Sequence, residues 1–167
     1  MESERNSIDF IVDCDHWHPT QEWLNRCCDA LDALGCSRCS VSLVLTTDDS
    51  IKKLNREWRH KDTPTDVLSF PMYEVGQVSL VDATLGDIVI SVDTAKRQAV
   101  SRQHPIESEL TVLFVHGLCH LMGHNHGDTE SAKGMARLEN QLVCVMTEGL
   151  NRLTKGLIQT TMDAANV

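Results

Sequence analysis

Short apolar segments bounded by polar residues recur along this chain at lengths that suit β-strands. From Val41, every second residue is a large apolar one (Val41, Leu43 and Leu45), as on a strand with one buried face. The other segments are rich in valine and isoleucine, which favour extended backbone. Four strands are therefore predicted: IDFIV (8–12), CSVSLVLTT (39–47), DVLSF (66–70) and GDIVISV (86–92).

Between and after these segments, apolar residues recur every three or four positions, which predicts amphipathic helices. In the second helix, Ile51, Leu54 and Trp58 form such an apolar stripe. Five helices are predicted, and they begin after Pro19–Thr20, near Thr47 or Asp48, at Asp93, at Pro105 and at Asp128. Because helices and strands interleave, we expect an α+β fold with a small mixed sheet of about four strands, covered by these helices.

The length of 167 residues and the hydrophobic content of 41% fit one globular domain, which we expect to span residues 1–167. The last ~15 residues carry little pattern and are expected to be poorly ordered. No apolar stretch approaches the ~18 residues of a membrane span. The N-terminal segment MESERNSIDF lacks a basic stretch followed by an apolar one. We therefore expect no secretory leader and a cytoplasmic location.

The seven cysteines are an odd number, and a cytosolic chain keeps them reduced. Most of them are interpreted as small buried hydrophobes. Cys36 and Cys39 form a C-x-x-C, which leaves a redox or zinc role open. Since no second pair stands at zinc-ribbon spacing, buried loop and strand-start positions are favoured for these two.

The net charge of −9 is unlike that of a generic nucleic-acid-binding protein, which is usually basic. One segment, KKLNREWRHK (52–61), has the opposite charge balance. Its cations are Lys52, Lys53, Arg56, Arg59 and Lys61, against a single glutamate. A local basic patch of this kind can hold a phosphate backbone, although charge alone favours a solvated helix face.

The segment HGLCHLMGHNH (116–126) holds four of the eight histidines. His116 and His120 share one face of an otherwise apolar helix, and buried imidazoles need bonded partners, which one divalent metal ion can provide. Gly123 permits a left-handed residue that ends the helix, so that the chain can bring His126 to the same point. Three histidines leave the fourth position of zinc open, which is typical of catalytic zinc.

Two features of this metal site stay open. His124 could compete with His126 as the third ligand, but we expect it to face substrate or solvent. Three imidazoles also suit nickel, copper or cobalt, so the sequence predicts one divalent transition-metal ion per chain, with zinc favoured.

The three histidines stand at the offsets of the zinc-protease signature H-E-x-x-H-x-x-G-x-x-H, but Gly117 replaces its glutamate. That glutamate takes the proton from the attacking water, so peptide hydrolysis by this mechanism is disfavoured. A phosphodiester requires a cation, a positioned nucleophile and charge neutralisation in the transition state. An arginine near the metal would supply the last of these, and Arg59 is the candidate.

Three segments, WRHKDTPTDVLSFPM, LGDIVISVDTAKRQA and HGLCHLMGHNH, closely resemble successive signatures of the YbeY family of bacterial metal-dependent endoribonucleases. The resemblance runs in order from about residue 50 to 146. It implies a single α+β domain with the metal site at the end of a buried helix. It also implies that His116, His120 and His126 bind the metal, and that Arg59 acts in substrate binding and catalysis.

The family resemblance further implies zinc-dependent cleavage of single-stranded RNA in ribosomal-RNA maturation and ribosome quality control. The step concerned would be processing of the 3′ end of 16S rRNA, with the small ribosomal subunit or its assembly factors as partners. Lys52, Lys53, Lys61 and His124 are further candidates for contacts with RNA. No general base and no oligomeric state is indicated.

This chain departs from the family pattern at two positions. Cys119 stands where the family usually has leucine, and it is offset from His120 by about 100° around the helix, so we expect it to pack in the core. As a thiolate ligand it would close the site. Asn125 stands where the family usually has aspartate, and metal affinity would fall if that aspartate orients a ligand.

Two other functions stay open at this point. One is a metallopeptidase that uses a carboxylate from elsewhere in the chain. The other is a non-enzymatic ribosome-assembly factor whose metal is structural, which predicts a complete ligand set with no open position.

Overall fold

This computed structural model describes residues 4–15 and 17–147 of the chain. Four strands and five helices lie within these ranges. The strands are β1 (Ser7–Val12), β2 (Ser40–Thr46), β3 (Val67–Pro71) and β4 (Thr84–Ser91). The helices are α1 (Gln21–Ala33), α2 (Asp48–Arg59), α3 (Val92–Ser101), α4 (Ile106–Leu121) and α5 (Thr129–Thr147). All nine predicted elements are confirmed. The C-terminal segment that we expect to be poorly ordered lies outside the described residues.

The strands form one mixed sheet in the order β1-β2-β4-β3. β2 pairs in parallel with both β1 and β4, and β3 pairs antiparallel with β4. The expectation of a small mixed sheet is therefore confirmed. β3 is an edge strand, so one side of its backbone is free to face other groups.

The two faces of the sheet carry different cores, since successive residues of a strand point to opposite sides. Ile88 and Ile90 of β4 join the large core, to which α1, α3, α4 and α5 contribute. Val89 instead joins Leu68 of β3 in a small cluster that Ile51 of α2 covers. α4 is buried nearly all round, as its sequence predicts. None of the helices in the described ranges is long and apolar enough to cross a membrane.

The end of α2 differs from the predicted apolar stripe. Ile51 is fully buried and Leu54 packs partly against the small cluster, but Trp58 is 58% exposed. Trp58 therefore lies at the exposed end of the predicted apolar stripe. β3 is the last strand of the sheet, and the ring that Trp58 meets is that of Phe70 on this strand, with ring centroids 6.1 Å apart.

The start of α2 is fixed to the start of α3 by a pair of aspartates. Asp48 accepts hydrogen bonds from the hydroxyls of Ser91 and Thr94, both at 2.6 Å, and its own backbone N–H donates to Asp93 at 2.9 Å. Burial acts to raise the pKa of Asp48, but the bonds from Ser91, Thr94 and Arg97 outweigh it and lower the pKa. These bonds anchor the helix that presents Arg59 at its other end.

The seven cysteines are all free thiols. Four of them, Cys27, Cys36, Cys39 and Cys119, are buried as predicted, whereas Cys144 is exposed. Burial and the neighbouring Cys39 raise the pKa of Cys36 to about 12. A thiol with so high a pKa is a poor nucleophile at neutral pH, so the C-x-x-C is better explained by packing than by redox chemistry.

Candidate metal centre

The C-terminal end of α4 is built to reverse the chain. Gly123 has a φ of +90°, its N–H donates to the carbonyl of His120 at 3.0 Å, and the N–H of His124 donates to the carbonyl of Cys119 at 3.1 Å. This pair of bonds is a Schellman motif, which needs a left-handed residue that glycine adopts without strain. The predicted role of Gly123 is confirmed, and the turn returns the chain towards the helix end.

Three histidines meet at this turn. His116 and His120 come from α4 and His126 from the loop beyond Gly123, and one ring nitrogen of each lies within 4.8 Å of the others. The ring of His126 stacks on that of His116, with centroids 5.5 Å apart and an angle of 19° between the planes. His116 and His120 are half-buried and His126 is exposed, so the group opens to solvent on one side.

Hydrogen bonds fix which ring nitrogens face the centre of the group. Nδ1 of His120 lies 2.9 Å from the backbone carbonyl of His124, which can only accept, so the proton of a neutral ring sits on Nδ1. Nδ1 of His116 likewise faces a carboxylate oxygen of Glu139 at 2.7 Å. When both rings are in the neutral, metal-binding form, each Nε2 therefore carries a lone pair.

These two Nε2 atoms lie only 3.1 Å apart. Two lone pairs at this distance repel each other unless a cation lies between them. Two nitrogen ligands on tetrahedral zinc are separated by roughly 3.3 Å, given bond lengths near 2.0–2.1 Å. The donor set thus fits a divalent transition-metal ion held by His116, His120 and His126. Burial, and then the nearby His116, lower the pKa of His120, which favours the neutral form that binds metals.

Glu139 is a member of the site that the sequence interpretation missed. It is only 4% exposed, it lies on α5, and its carboxylate holds the far nitrogen of the His116 ring. Carboxylates in this position orient metal-binding histidines and increase their basicity. One sequence signal was present: Glu139 stands in the same helical stripe as the buried Met135 and Leu142 of α5, where a charged residue needs a buried partner.

Gly117 leaves no room for the glutamate of the protease signature. A Cβ atom at this position would lie 2.9 Å from Cγ2 of Ile88 and 3.1 Å from Oγ of Ser69. The hydroxyl of Ser69 also donates to the carbonyl of Gly117 at 3.2 Å. α4 therefore packs directly on the sheet at this residue, and the loss of the glutamate is a requirement of packing.

Arg59 lies in the same pocket as the histidines. This pocket has a volume of about 290 Å³ and is lined by Arg59, His116 and His120 and by Val67, Leu68, Ser69 and Pro71 of β3. Nη2 of Arg59 donates to the carbonyl of Ser69 at 3.0 Å, and its guanidinium lies 5.5 Å from the centre of the Phe70 ring. None of these lining residues carries a carboxylate, so the pocket favours an anionic group.

Arg59 is positioned by the turn that ends α2. His60 adopts a left-handed conformation with a φ of 58°, and the N–H of Lys61 donates to the carbonyl of Asn55. Asn55 is 3% exposed, and its side-chain amide donates to the carbonyl of Thr63 at 2.8 Å. Asn55 is a second residue that the sequence interpretation missed. Its buried amide fixes the loop that follows α2.

The other candidate contacts to RNA lie outside the pocket lining. Lys52 and Lys53 precede Arg59 by about two turns of α2, or roughly 10 Å. Lys61 is exposed just beyond the helix end, and the contact that His124 makes with the site is through its backbone carbonyl. Substrate binding by these four side chains stays a prediction.

The two departures from the family pattern leave the histidine group intact. Cys119 is fully buried, and burial followed by the nearby Glu139 raises its pKa, so it remains a neutral packing residue. The side-chain oxygen of Asn125 accepts from the N–H of Gly127 at 2.8 Å, a bond that an aspartate would make equally well. Asn125 therefore shapes the loop that carries His126.

The mixed sheet, the buried helix with its H-x-x-x-H pair and the returning third histidine define a small α+β protein with an open group of three histidines that could hold a metal ion. The family model described as Endoribonuclease YbeY matches residues 10–146. The chain belongs to this family, as its motifs indicate.

Named relatives agree with this assignment, and one solved structure shares the fold. Proteins named Endoribonuclease YbeY are similar to this chain in Heliobacterium modesticaldum (46% identity, covering 67% of this chain and 71% of the relative) and Thermus thermophilus (44%, covering 69% and 82%). A third, from Myxococcus xanthus, is 50% identical over 103 residues, which are 62% of this chain and 35% of that longer protein. A Thermotoga maritima protein shares the fold, with a TM-score of 0.60 at 23% identity over 85% of this chain and 90% of that one.

Proposed function

We propose that this protein is a metal-dependent endoribonuclease that cleaves single-stranded RNA during ribosomal-RNA maturation. The observation that carries the proposal is the shared pocket of Arg59 with His116 and His120. A cation site and a guanidinium at one cavity are complementary to a phosphodiester, which is already anionic and gains charge as it reacts. The names of the relatives support the same chemistry.

The histidines, the groups that hold them and Arg59 have separate roles in this proposal. A divalent ion, with zinc favoured, would activate a water molecule or the 2′-hydroxyl of the RNA as the nucleophile. Glu139 and the carbonyl of His124 hold the histidine rings so that their Nε2 atoms face one point. Arg59 uses one N–H on Ser69, and its remaining donors are available for two phosphate oxygens.

The rival functions receive less support from the site. A metallopeptidase needs a base, but position 117 has no space for a side chain and no carboxylate lines the pocket among the described residues. A structural metal needs a closed ligand set, whereas the group found in the described residues contains three histidines and one of them is exposed. The proposal includes a cytoplasmic location and the small ribosomal subunit or its assembly factors as partners.

The test compares RNA and protein as substrates. The purified protein, loaded with zinc or with another divalent ion, is incubated with labelled single-stranded RNA, with the same RNA in a duplex, and with casein. We expect cleavage of the single-stranded RNA alone, its loss on chelation and its return when the ion is added back. Cleavage of casein but not RNA would support the metallopeptidase, and no cleavage of either would support the assembly factor.

A further inference from the structure

We propose that Trp58 is a stacking platform for one base of the single-stranded RNA whose phosphate enters the Arg59 pocket. This inference rests on the proposed function, because it names a subsite of the same cleft. A nucleobase is the ligand, and it would be held through its face without regard to its identity.

The first observation is the exposure of Trp58. Of the three tryptophans of the chain, Trp23 is 1% exposed in the core and Trp17 packs edge-on against it at 5.8 Å. Trp58 is 58% exposed, although it lies in a helix whose other apolar residues face the sheet. Its chain neighbour Arg59 lines the pocket, and a large aromatic surface left in water beside a cleft is a feature that binding can use.

The second observation is the connection between Trp58 and Arg59. The ring of Trp58 meets that of Phe70 edge-to-face at 6.1 Å, and the guanidinium of Arg59 lies 5.5 Å from the same Phe70 ring. Phe70 points to the α2 side of β3, while Arg59 reaches the free edge of this strand and donates to the carbonyl of Ser69. The aromatic platform and the phosphate anchor therefore flank one edge strand, as a base and its neighbouring phosphate would require.

The third observation is the local charge. The last turn of α2 carries Arg56 and Arg59, and Lys61 follows it, on a chain with a net charge of −9. Asp62 approaches Arg56 at 3.7 Å, but both side chains are 63% exposed and such a surface pair is weak. Cations beside an open aromatic ring are the combination that binds single-stranded nucleic acid.

A purely structural role for Trp58 would be to cover Phe70. That role predicts a loss of stability when Trp58 is shortened and no change in RNA binding. The stacking role predicts weaker RNA binding and little change in stability when Trp58 is shortened. A half-exposed ring contributes little to the core, whereas a base stacked on it would lose its contact altogether.

The test uses the metal-loaded protein and four forms of the chain: parent, Trp58→Ala, Trp58→Phe and Ile11→Ala. Ile11 is the matched control, because it is 61% exposed on β1, at the opposite edge of the sheet. Each form is titrated under single-turnover conditions with single-stranded RNA, and with versions that carry one abasic nucleotide at successive positions around the cleavage site. Binding is followed in parallel by tryptophan fluorescence, and folding by thermal unfolding.

We expect Trp58→Ala to raise the half-saturating RNA concentration about five- to a hundredfold, the range for loss of one stacked base. Trp58→Phe should recover most of the affinity, and Ile11→Ala should behave like the parent. In the parent, an abasic nucleotide at one position should weaken RNA binding by a similar factor. In Trp58→Ala, the same abasic nucleotide should not weaken RNA binding any further. The fluorescence quenching caused by RNA should disappear in Trp58→Phe.

Parent-like RNA affinity in Trp58→Ala, or an abasic penalty that persists in this variant, would overturn the stacking role. A lower melting temperature with unchanged RNA affinity would do the same and would identify Trp58 as a cover for Phe70. If the parent binds RNA with Trp58-dependent quenching but never cleaves it, the platform stands and the proposed nuclease activity fails. If the parent cleaves RNA and Trp58 is irrelevant, only the platform fails.

Discussion

Glu139 of α5 holds Nδ1 of His116 at 2.7 Å, although the two residues are 23 positions apart in the chain. The contact places a buried carboxylate directly behind an imidazole of the candidate metal centre. It also makes α5 part of this candidate centre, because the direction of the His116 ring depends on the packing of this helix against α4.

Replacing Glu139 with glutamine should weaken metal binding by about ten- to a hundredfold, the usual cost of losing such a partner. The amide oxygen of glutamine still accepts a hydrogen bond, so the fold should survive, but the negative charge behind His116 is lost. Glu130→Gln is the matched control, since this residue lies on the same helix with its side chain 85% exposed. Metal affinity is measured by competition with a chelator, and equal affinities for the two variants would contradict the role of Glu139.

Removal of single histidines should separate ligands from neighbours. His116→Ala, His120→Ala and His126→Ala should each lose most of the metal, because each removes one of only three protein ligands. His124→Ala should keep it, since the contact of this residue with His120 is made by its backbone carbonyl. Metal content per chain after gel filtration is the measurement. Loss of metal in His124→Ala with retention in His126→Ala would show that the third ligand is misassigned.

Adding a single methyl group at position 117 should destabilise the protein. Gly117→Ala forces Ile88 and Ser69 apart and should reduce the free energy of unfolding by about 1–3 kcal/mol, as overpacked core sites do. Gly134→Ala on α5 is the matched control, because a Cβ there meets nothing within 4 Å, and it should increase stability by up to about 1 kcal/mol through helix propensity. The free energy of unfolding of both variants is measured with urea. Equal stabilities would mean that α4 does not pack tightly on the sheet at Gly117.

Lys52 and Lys53 should contribute to RNA affinity through their charge alone. RNA binding should weaken with salt, because phosphate contacts release counterions, and the slope should be shallow since few cations are available. Lys52→Glu with Lys53→Glu should weaken binding without changing the rate at saturating RNA, and the pair of Gln variants should fall between this form and the parent. RNA binding that does not respond to salt would identify these lysines as a solvated helix face.

The sequence predicted the elements and the histidine group because both depend on local spacing. Apolar periodicity places Ile51 and Met135 on buried faces, and the i, i+4 pair with Gly123 brings His116, His120 and His126 together within one turn and loop. The exposure of Trp58 could not be found in this way, because helical spacing does not show where the sheet beneath a helix ends.

The sequence patterns also could not predict contacts between segments that are distant in the chain. The pairing of Glu139 with His116 depends on how α5 crosses α4, and the close approach of Ile88 to Gly117 depends on how α4 lies on the sheet. The absence of a glutamate at position 117 argues against a peptidase by sequence alone, but its physical cause is visible only in the packing.

The most direct test of the central claim is RNA cleavage by Arg59 variants at equal metal occupancy. Arg59→Glu, Arg59→Lys and the parent are compared on single-stranded RNA at saturating concentration. Arg59 is not a metal ligand and lies at an exposed helix end, so both variants should fold and bind metal. Arg59→Glu should lose roughly a hundredfold in rate, as happens when a donor to a developing anion is removed, and Arg59→Lys should recover only part of it. Cleavage by Arg59→Glu at the rate of the parent would contradict the account, because the pocket that joins the arginine to the histidines would then not be where the phosphodiester reacts.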